Sequence, residues 1–285
     1  MDEAFVFQNQ LRERGCYRTD ASRCGWRLPS FLATPLFNLA MLGVFVSGYI
    51  HSKRPSFVER EWAVFGYRVM RWAERFGARV HIDGFDRVRH GETLVWAANH
   101  ISSLETYILP PALAALSPRL VILLKESLAH YPLFGSIVRA VDPIRLLRRN
   151  AMEDLRKVLD GGVAAIKAGR SALIFPQGAR HRQFDPKTFN SMAAKLAMKA
   201  DAPVVPLAVS TDFLRIGKLH RDLTMTVRPS SPVRIACGPI LPPSLGQAEL
   251  QKQSVAFISA KLAEWERNDR LPLLAAPAQV PAIEQ

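Results

Sequence analysis

The sequence predicts an α/β fold: a largely parallel mixed sheet flanked by helices, with an N-terminal membrane-associated helical segment. Three observations carry this expectation. From Thr93 to Phe175, short apolar runs of strand length alternate with stretches of helical periodicity. Basic residues recur just past the ends of those runs, where open parallel sheets hold their ligands. Ahead of them, Phe31 to Ile50 gives twenty consecutive residues without a charge, about the length a helix needs to cross a bilayer core.

The 285 residues suffice for one large domain or two small ones. A hydrophobic content of 48% with 22% charged residues excludes a disordered chain. The formal net charge of +13 favours an anionic partner: nucleic acid, an anionic membrane surface or a phosphorylated substrate. Composition does not choose among them. Cys16, Cys24 and Cys237 show no C-x-x-C spacing, which fits a reduced cytoplasmic setting and gives no zinc site.

Residues 1–30 are polar and arginine-rich and read as a charged tail with little structure of its own. Residues 31–78 form the membrane-associated helical segment. Pro35, Asn38, Gly43, Ser47 and Gly48 dilute its uncharged run, so a spanning helix, a membrane-embedded element and a buried core helix all stay open. From Phe57 to Phe76, Trp62, Phe65, Val69, Trp72 and Phe76 recur at helical steps beside Arg68, Arg71 and Arg75. That helix suits a membrane surface, with arginines near lipid phosphates, or equally a core with a solvated basic edge. Arg79 to Gly84 reads as an edge strand carrying a surface His81.

The catalytic domain is expected over 79–270. Thr93–Trp96 is short and apolar enough for a buried strand, and Asn99, His100, Ser102, Ser103 and Glu105 follow it. A strand-end His with a carboxylate five residues on is what a general base and its orienting acid need. Tyr107 to Leu116 reads as a short helix interrupted at Pro110-Pro111. Leu120–Leu124 is a strand with Lys125 at its end, Ser136–Val141 a helix, and Pro143–Arg149 a strand ending in a basic pair. Met152 to Ile166 is one apolar helical face, and Ala172–Phe175 is the next strand. Phe175, Pro176, Gln177, Gly178 and Arg180 follow, with a glycine that lets backbone approach a ligand and an arginine suited to a two-pronged anion contact. Lys125, Arg149 and Arg180 thus each lie just past a strand, and parallel pairing would bring them to the edge that carries His100. Leu223–Val227 and Val233–Cys237 read as strands added at one side of the sheet. Ser244 is a candidate N-cap for a last helix, and residues 271–285 read as a loose tail.

Taken together, these blocks resemble the PlsC-type glycerolipid acyltransferases, the family of lysophosphatidic acid acyltransferases. Asn99, His100, Ser102 and Ser103 match the family's Asn-His-x-Ser-x-x-Asp, with Glu105 in the place of Asp. Lys125-Glu126, Pro132–Gly135 and Arg149 resemble its second block, Phe175–Arg180 its Phe-Pro-Glu-Gly-Thr-Arg, and Pro203–Leu207 its Val-Pro-rich strand. Three departures stand out. Glu105 is one methylene longer than Asp. Gln177 and Ala179 replace Glu and Thr. Phe189-Asn190-Ser191-Met192 lacks the family's lysine and glycine.

The resemblance implies the glycerolipid acyltransferase fold and acyl transfer from a thioester, acyl-CoA or acyl-carrier protein, to a lysolipid hydroxyl. His100 is implied as the base and Glu105 as its orienting acid. Asn99, Ser102, Ser103, Lys125, Arg149, Phe175, Pro176, Gln177, Gly178 and Arg180 are implied on the substrate side. No metal or cofactor is called for. The expected partners are a lysolipid, an acyl thioester and an anionic membrane surface, at the cytoplasmic face of the inner or plasma membrane. The acceptor most in keeping with the family is 1-acyl-glycerol-3-phosphate, giving phosphatidic acid. A lyso-aminolipid acceptor and a non-catalytic basic membrane-surface protein are the alternatives. Nucleic acid is not expected, because the arginines sit at strand ends and not in one continuous patch.

Overall fold

The computed structural model describes residues 2–23, 25, 28–53, 59–117, 119–147, 149–181, 183–216 and 225–274. Its N-terminus is structured where composition predicts a loose tail. Helix α1 (Glu3–Arg14) is capped by Asp2, whose side chain accepts from the Ala4 N–H at 3.1 Å. Phe7 and Leu11 sink into the core, and strand β1 (Tyr17–Arg18) joins the main sheet. The reason is a buried carboxylate far along the chain. Glu74 is fully buried and accepts the Tyr17 hydroxyl at 2.6 Å and the Thr19 hydroxyl at 2.7 Å, while Arg71 pairs with it. A buried charge needs such donors, so this leader is committed to the domain.

Helix α2 (Ser30–Ser52) covers the uncharged run. Ala33, Phe37, Met41, Val44 and Gly48 face the protein, whereas Phe31 (74% exposed), Leu39 (65%) and Ile50 (54%) face outward. It is the one helix among the described residues long and apolar enough to cross a membrane. Helix α3 (Glu59–Arg75) buries Trp62, Phe65 and Val69, as its periodicity predicts; 57–58 lie outside the described residues.

Strand β2 (Arg79–Asp83) is not at the edge, because β1 covers one side of it. His81 is accordingly half-buried, and burial, with Arg18 and Arg234 nearby, holds its imidazole below the usual range. Then come β3 (Val95–Ala98), α4 (Leu104–Leu113), β4 (Leu120–Lys125), α5 (Phe134–Ala140), β5 (Ile144–Leu146), α6 (Ala151–Lys167) and β6 (Ser171–Ile174). Helix α4 runs through Pro110 and Pro111, where an interruption is expected. Pro111 cannot donate to the Tyr107 carbonyl, and Gly66 of α3 packs against that oxygen, close enough that a Cβ would lie 2.1 Å from it. Tertiary packing thus covers the carbonyl that the proline leaves open.

A short helix α7 (Met192–Ala200), absent from the sequence expectation, precedes β7 (Val204–Ser210). Strands β8 (Leu214–Ile216) and β9 (Met225–Val227) form a separate antiparallel pair; the expected strand start at 223–224 lies outside the described residues. Strand β10 (Pro232–Cys237) is inside the sheet, not added at its side. It lies parallel to β2 and antiparallel to β7, and buries Val233 and Ile235. Helix α8 (Gln247–Leu274) starts after a tight turn that holds Ser244, so Ser244 is not its cap. The expected tail at 271–285 is helical to Leu274, and 275–285 lie outside the described residues.

The sheet order is β1-β2-β10-β7-β3-β6-β4-β5, with β7, β3, β6, β4 and β5 all parallel. Alternate residues of β3 feed two cores. Trp96 and Ala98 pack with the α1–α5 side, Val95 and Ala97 with α6, α7 and α8. This is the α/β sheet flanked by helices that the alternation predicts. All five parallel strands end on one edge.

Candidate active site

Strand β3 delivers the site. Just past its end, Asn99 is fully buried and its amide acts as one more ladder rung: Nδ2 donates to Val209 O at 2.8 Å and Oδ1 accepts from Val209 N at 2.7 Å. That clamp fixes the take-off of the next residue. His100 donates its backbone N–H to Gln177 Oε1 at 2.7 Å and accepts the His181 N–H at 2.9 Å. Its ring stacks on Phe175, centroids 4.4 Å apart.

His100 Nδ1 lies 2.9 Å from Glu105 Oε1. Glu105 sits in the first turn of α4 and is fully buried. Its Oε1 also accepts the N–H groups of Ile101 and Ser102, the latter at 2.6 Å. Its Oε2 accepts the Ser102 hydroxyl at 2.8 Å and the Thr211 hydroxyl at 2.6 Å. Burial by itself would push this carboxyl up. The hydrogen bond and charge of His100, with the Thr211 hydroxyl, outweigh burial and hold it below the usual carboxylate range. An ionised Glu105 only accepts, so Nδ1 carries the proton and Nε2 is left to take one from a ligand. The extra methylene relative to Asp lets the carboxylate fold back on its own helix start and still reach Thr211.

The other expected residues divide into groups. Asn99 and Ser102, expected on the substrate side, spend their side-chain polar groups inside the protein, on Val209 and on Glu105 with Thr211. Ser103 starts α4 without a side-chain cap bond. Pro176 is buried, and its carbonyl accepts the Asn190 N–H at 3.3 Å. Gly178 closes the turn on Phe175 O at φ +68°, a conformation that favours glycine. Among the described residues Gln177 Nε2 has no hydrogen-bond partner, although it is buried.

Arg180 follows β6, next to β3; Lys125 ends β4, one strand further; Arg149 follows β5 at the rim. At ladder spacing, Arg149's strand is about 14 Å from β3. All three cations share the edge of His100, with Arg180 nearest in strand order. Thr211 was not singled out by sequence. It lies 106 positions from Glu105, with no spacing to betray the contact.

Comparison with known proteins gives this arrangement its place. Residues 79–210 match the family model described as Acyltransferase. A 1-acyl-sn-glycerol-3-phosphate acyltransferase of Pseudomonas aeruginosa is 26% identical over 219 residues, covering 74% of this chain and 79% of that relative. In sequence and in fold the chain is similar to the PlsC-type acyltransferases. A crystal structure of the 1-acyl-sn-glycerophosphate acyltransferase PlsC from Thermotoga maritima shares the fold of this chain, with a TM-score of 0.63 and 20% identity over 84% of this chain and 98% of that one. A lyso-ornithine lipid O-acyltransferase of Pseudomonas aeruginosa is 29% identical over 119 residues, 42% of this chain and 43% of that relative. The stretch matched by the family model contains His100, Glu105 and the Phe175–Arg180 block, and stops one residue short of Thr211.

Proposed function

We propose that the enzyme moves a fatty acyl group from a thioester, acyl-CoA or acyl-carrier protein, to the hydroxyl of 1-acyl-glycerol-3-phosphate, giving phosphatidic acid. The observation that carries this reading is the His100–Glu105 pair on the sheet edge that also bears Arg180 and Lys125. His100 Nε2 removes the acceptor's hydroxyl proton as that oxygen attacks the thioester carbonyl. The tetrahedral intermediate collapses, the carbon–sulfur bond breaks, and the leaving thiolate takes the proton back from the imidazolium. Glu105 holds the tautomer and stabilises the imidazolium between these steps. Backbone N–H groups near Gly178 serve the oxyanion. Arg180 and Lys125, with Arg149 at the rim, hold the acceptor phosphate. An imidazole base suffices for this proton traffic, so the reading assigns no cofactor beyond the thioester.

The same reading seats the enzyme on the cytoplasmic face of an anionic membrane. Helix α2 is packed along its length, from Ala33 to Gly48, on the domain that carries the sheet. A helix bound lengthwise to a water-soluble body embeds in one leaflet more readily than it stands across two, with Phe31, Leu39 and Ile50 in the lipid.

A second acceptor is kept by specific residues. Gln177 in place of Glu and the missing lysine at Asn190 suit a lyso-aminolipid, the class named for the lyso-ornithine relative. A panel of lysolipids presented in vesicles with labelled acyl-CoA separates the two. Fastest turnover of lysophosphatidate supports the first reading and fastest turnover of a lyso-aminolipid the second. His100→Ala should be inactive on all of them while still binding vesicles.

A further inference from the structure

Helix α2 carries two polar side chains that neither a membrane helix nor a core helix requires, Thr34 and Asn38. Both are half-buried and turn their polar atoms to β9. Asn38 closes both backbone groups of Met225, donating from Nδ2 to Met225 O at 2.8 Å and accepting from Met225 N at 3.2 Å. Thr34 Oγ1 accepts the Val227 N–H at 3.1 Å. The helix therefore binds β9 as a neighbouring strand would, through backbone groups, and fixes its register.

From β9 the connection continues inward. Met225 lies opposite Ile216, and Val227 opposite Leu214. The Leu214 N–H donates to Thr211 O at 3.2 Å, and the Arg228 N–H to Phe213 O at 2.8 Å. The Phe213 ring meets Phe37 of α2 edge-on, with centroids 5.7 Å apart. Thr211, Phe213, Leu214 and Val227 are all at most 1% exposed. Thr211 then donates its hydroxyl to Glu105 Oε2, and Glu105 holds His100. From the outer helix to the imidazole, every step is a hydrogen bond or a packed ring.

We infer that Thr34 and Asn38 are positioning residues for acyl transfer, acting through the β8–β9 pair and Thr211 on the Glu105–His100 pair. The inference rests on the reading of His100 as the base. Its physical basis is the narrow tolerance of proton transfer, in which displacement of a supporting group by about 1 Å costs up to a hundredfold in rate. Thr211 enters from the end of β7, and the bonds that fix its backbone lead to α2. The helix that bears the apolar outer face thereby sets the geometry of the carboxylate that orients His100.

The test is Asn38→Leu, which keeps α2 apolar, with Thr34→Val as a milder, nearly isosteric second variant. Initial rates on lysolipid vesicles are measured together with vesicle flotation. Asn38→Leu should lower kcat by about threefold to tenfold, the equivalent of one or two buried hydrogen bonds, with KM and flotation unchanged. Thr34→Val should move kcat the same way by less. Combined with Thr211→Val, Asn38→Leu should add less than about twofold to the loss from Thr211→Val alone. Wild-type kcat in both α2 variants, full multiplicativity with Thr211→Val, or a loss that only tracks flotation would each overturn the inference. An active His100→Ala would overturn the site reading itself, whereas an inactive His100→Ala beside a normal Asn38→Leu overturns only the coupling.

Discussion

Glu105 holds Nδ1 of His100 at 2.9 Å from a fully buried position, with Ile101, Ser102 and Thr211 supplying its remaining donors. This carboxylate is fixed from four sides, so its charge and its reach can be tested separately. Glu105→Gln keeps the size and loses the charge. It should lower kcat by about a thousandfold, with little change in KM, because the imidazolium loses its counter-charge and the tautomer is no longer enforced. Glu105→Asp keeps the charge but withdraws it by one methylene from Thr211 or from the helix start, and should cost up to about a hundredfold. Steady-state rates on vesicle-borne lysolipid check both.

The lowered pKa of Glu105 also makes stability depend on pH. A carboxyl held below its ordinary value of 4.5 contributes stability that is fully present above that pH and is lost as pH falls through the folded value. Urea unfolding of the wild type should weaken progressively below pH 4.5, and Glu105→Gln should show a shallower acid slope. Equal slopes would mean that the carboxyl titrates alike in the folded and unfolded chains.

Arg180 is the cation whose strand adjoins that of His100. Arg180→Ala should raise KM for a phosphate-bearing acceptor by about tenfold to a hundredfold, the scale of a charge-assisted hydrogen bond, while leaving kcat at saturation nearly unchanged. A fall in kcat at constant KM would remove Arg180 from ground-state phosphate binding.

Gly66 and Gly43 are both helix-interior glycines with opposite surroundings. A Cβ on Gly66 would lie 2.1 Å from the Tyr107 carbonyl oxygen, whereas one on Gly43 would meet nothing within 4 Å among the described residues. Gly66→Ala should destabilise the fold by about 1–3 kcal/mol through overpacking against rigid backbone. Gly43→Ala should be neutral or stabilising by up to about 1 kcal/mol, from helix propensity alone. Denaturant midpoints of the two variants provide the comparison.

What the sequence made legible was local. The strands β3, β4 and β6 appear as apolar runs, β7 through its likeness to the family's Val-Pro-rich strand, and His100 and Glu105 are five positions apart, close enough for a spacing argument to join them. The misread parts depend on distant partners. Phe7, Leu11 and Tyr17 are hidden among charges, and the carboxylate that fixes Tyr17 and Thr19, Glu74, is more than fifty positions on. The prolines of α4 look like a break until Gly66 from another helix covers the carbonyl they leave open. Strand β10 has an ordinary strand pattern, which says nothing of its insertion between β2 and β7. Thr211 and Asn38 carry no motif; their partners are assembled only by the fold.

The two outermost strands of the main sheet, β1 and β5, have two and three residues. Strands this short present little free backbone on which another chain could build, and short edge strands are a common safeguard against edge-to-edge aggregation. A chain that bears an oily outer helix is at risk of self-association whenever it is away from lipid. Here most of the exposed large apolar side chains among the described residues lie on that helix, which a bilayer or a detergent belt can cover, and the short strands at the two ends of the main sheet offer little template for amyloid-like growth.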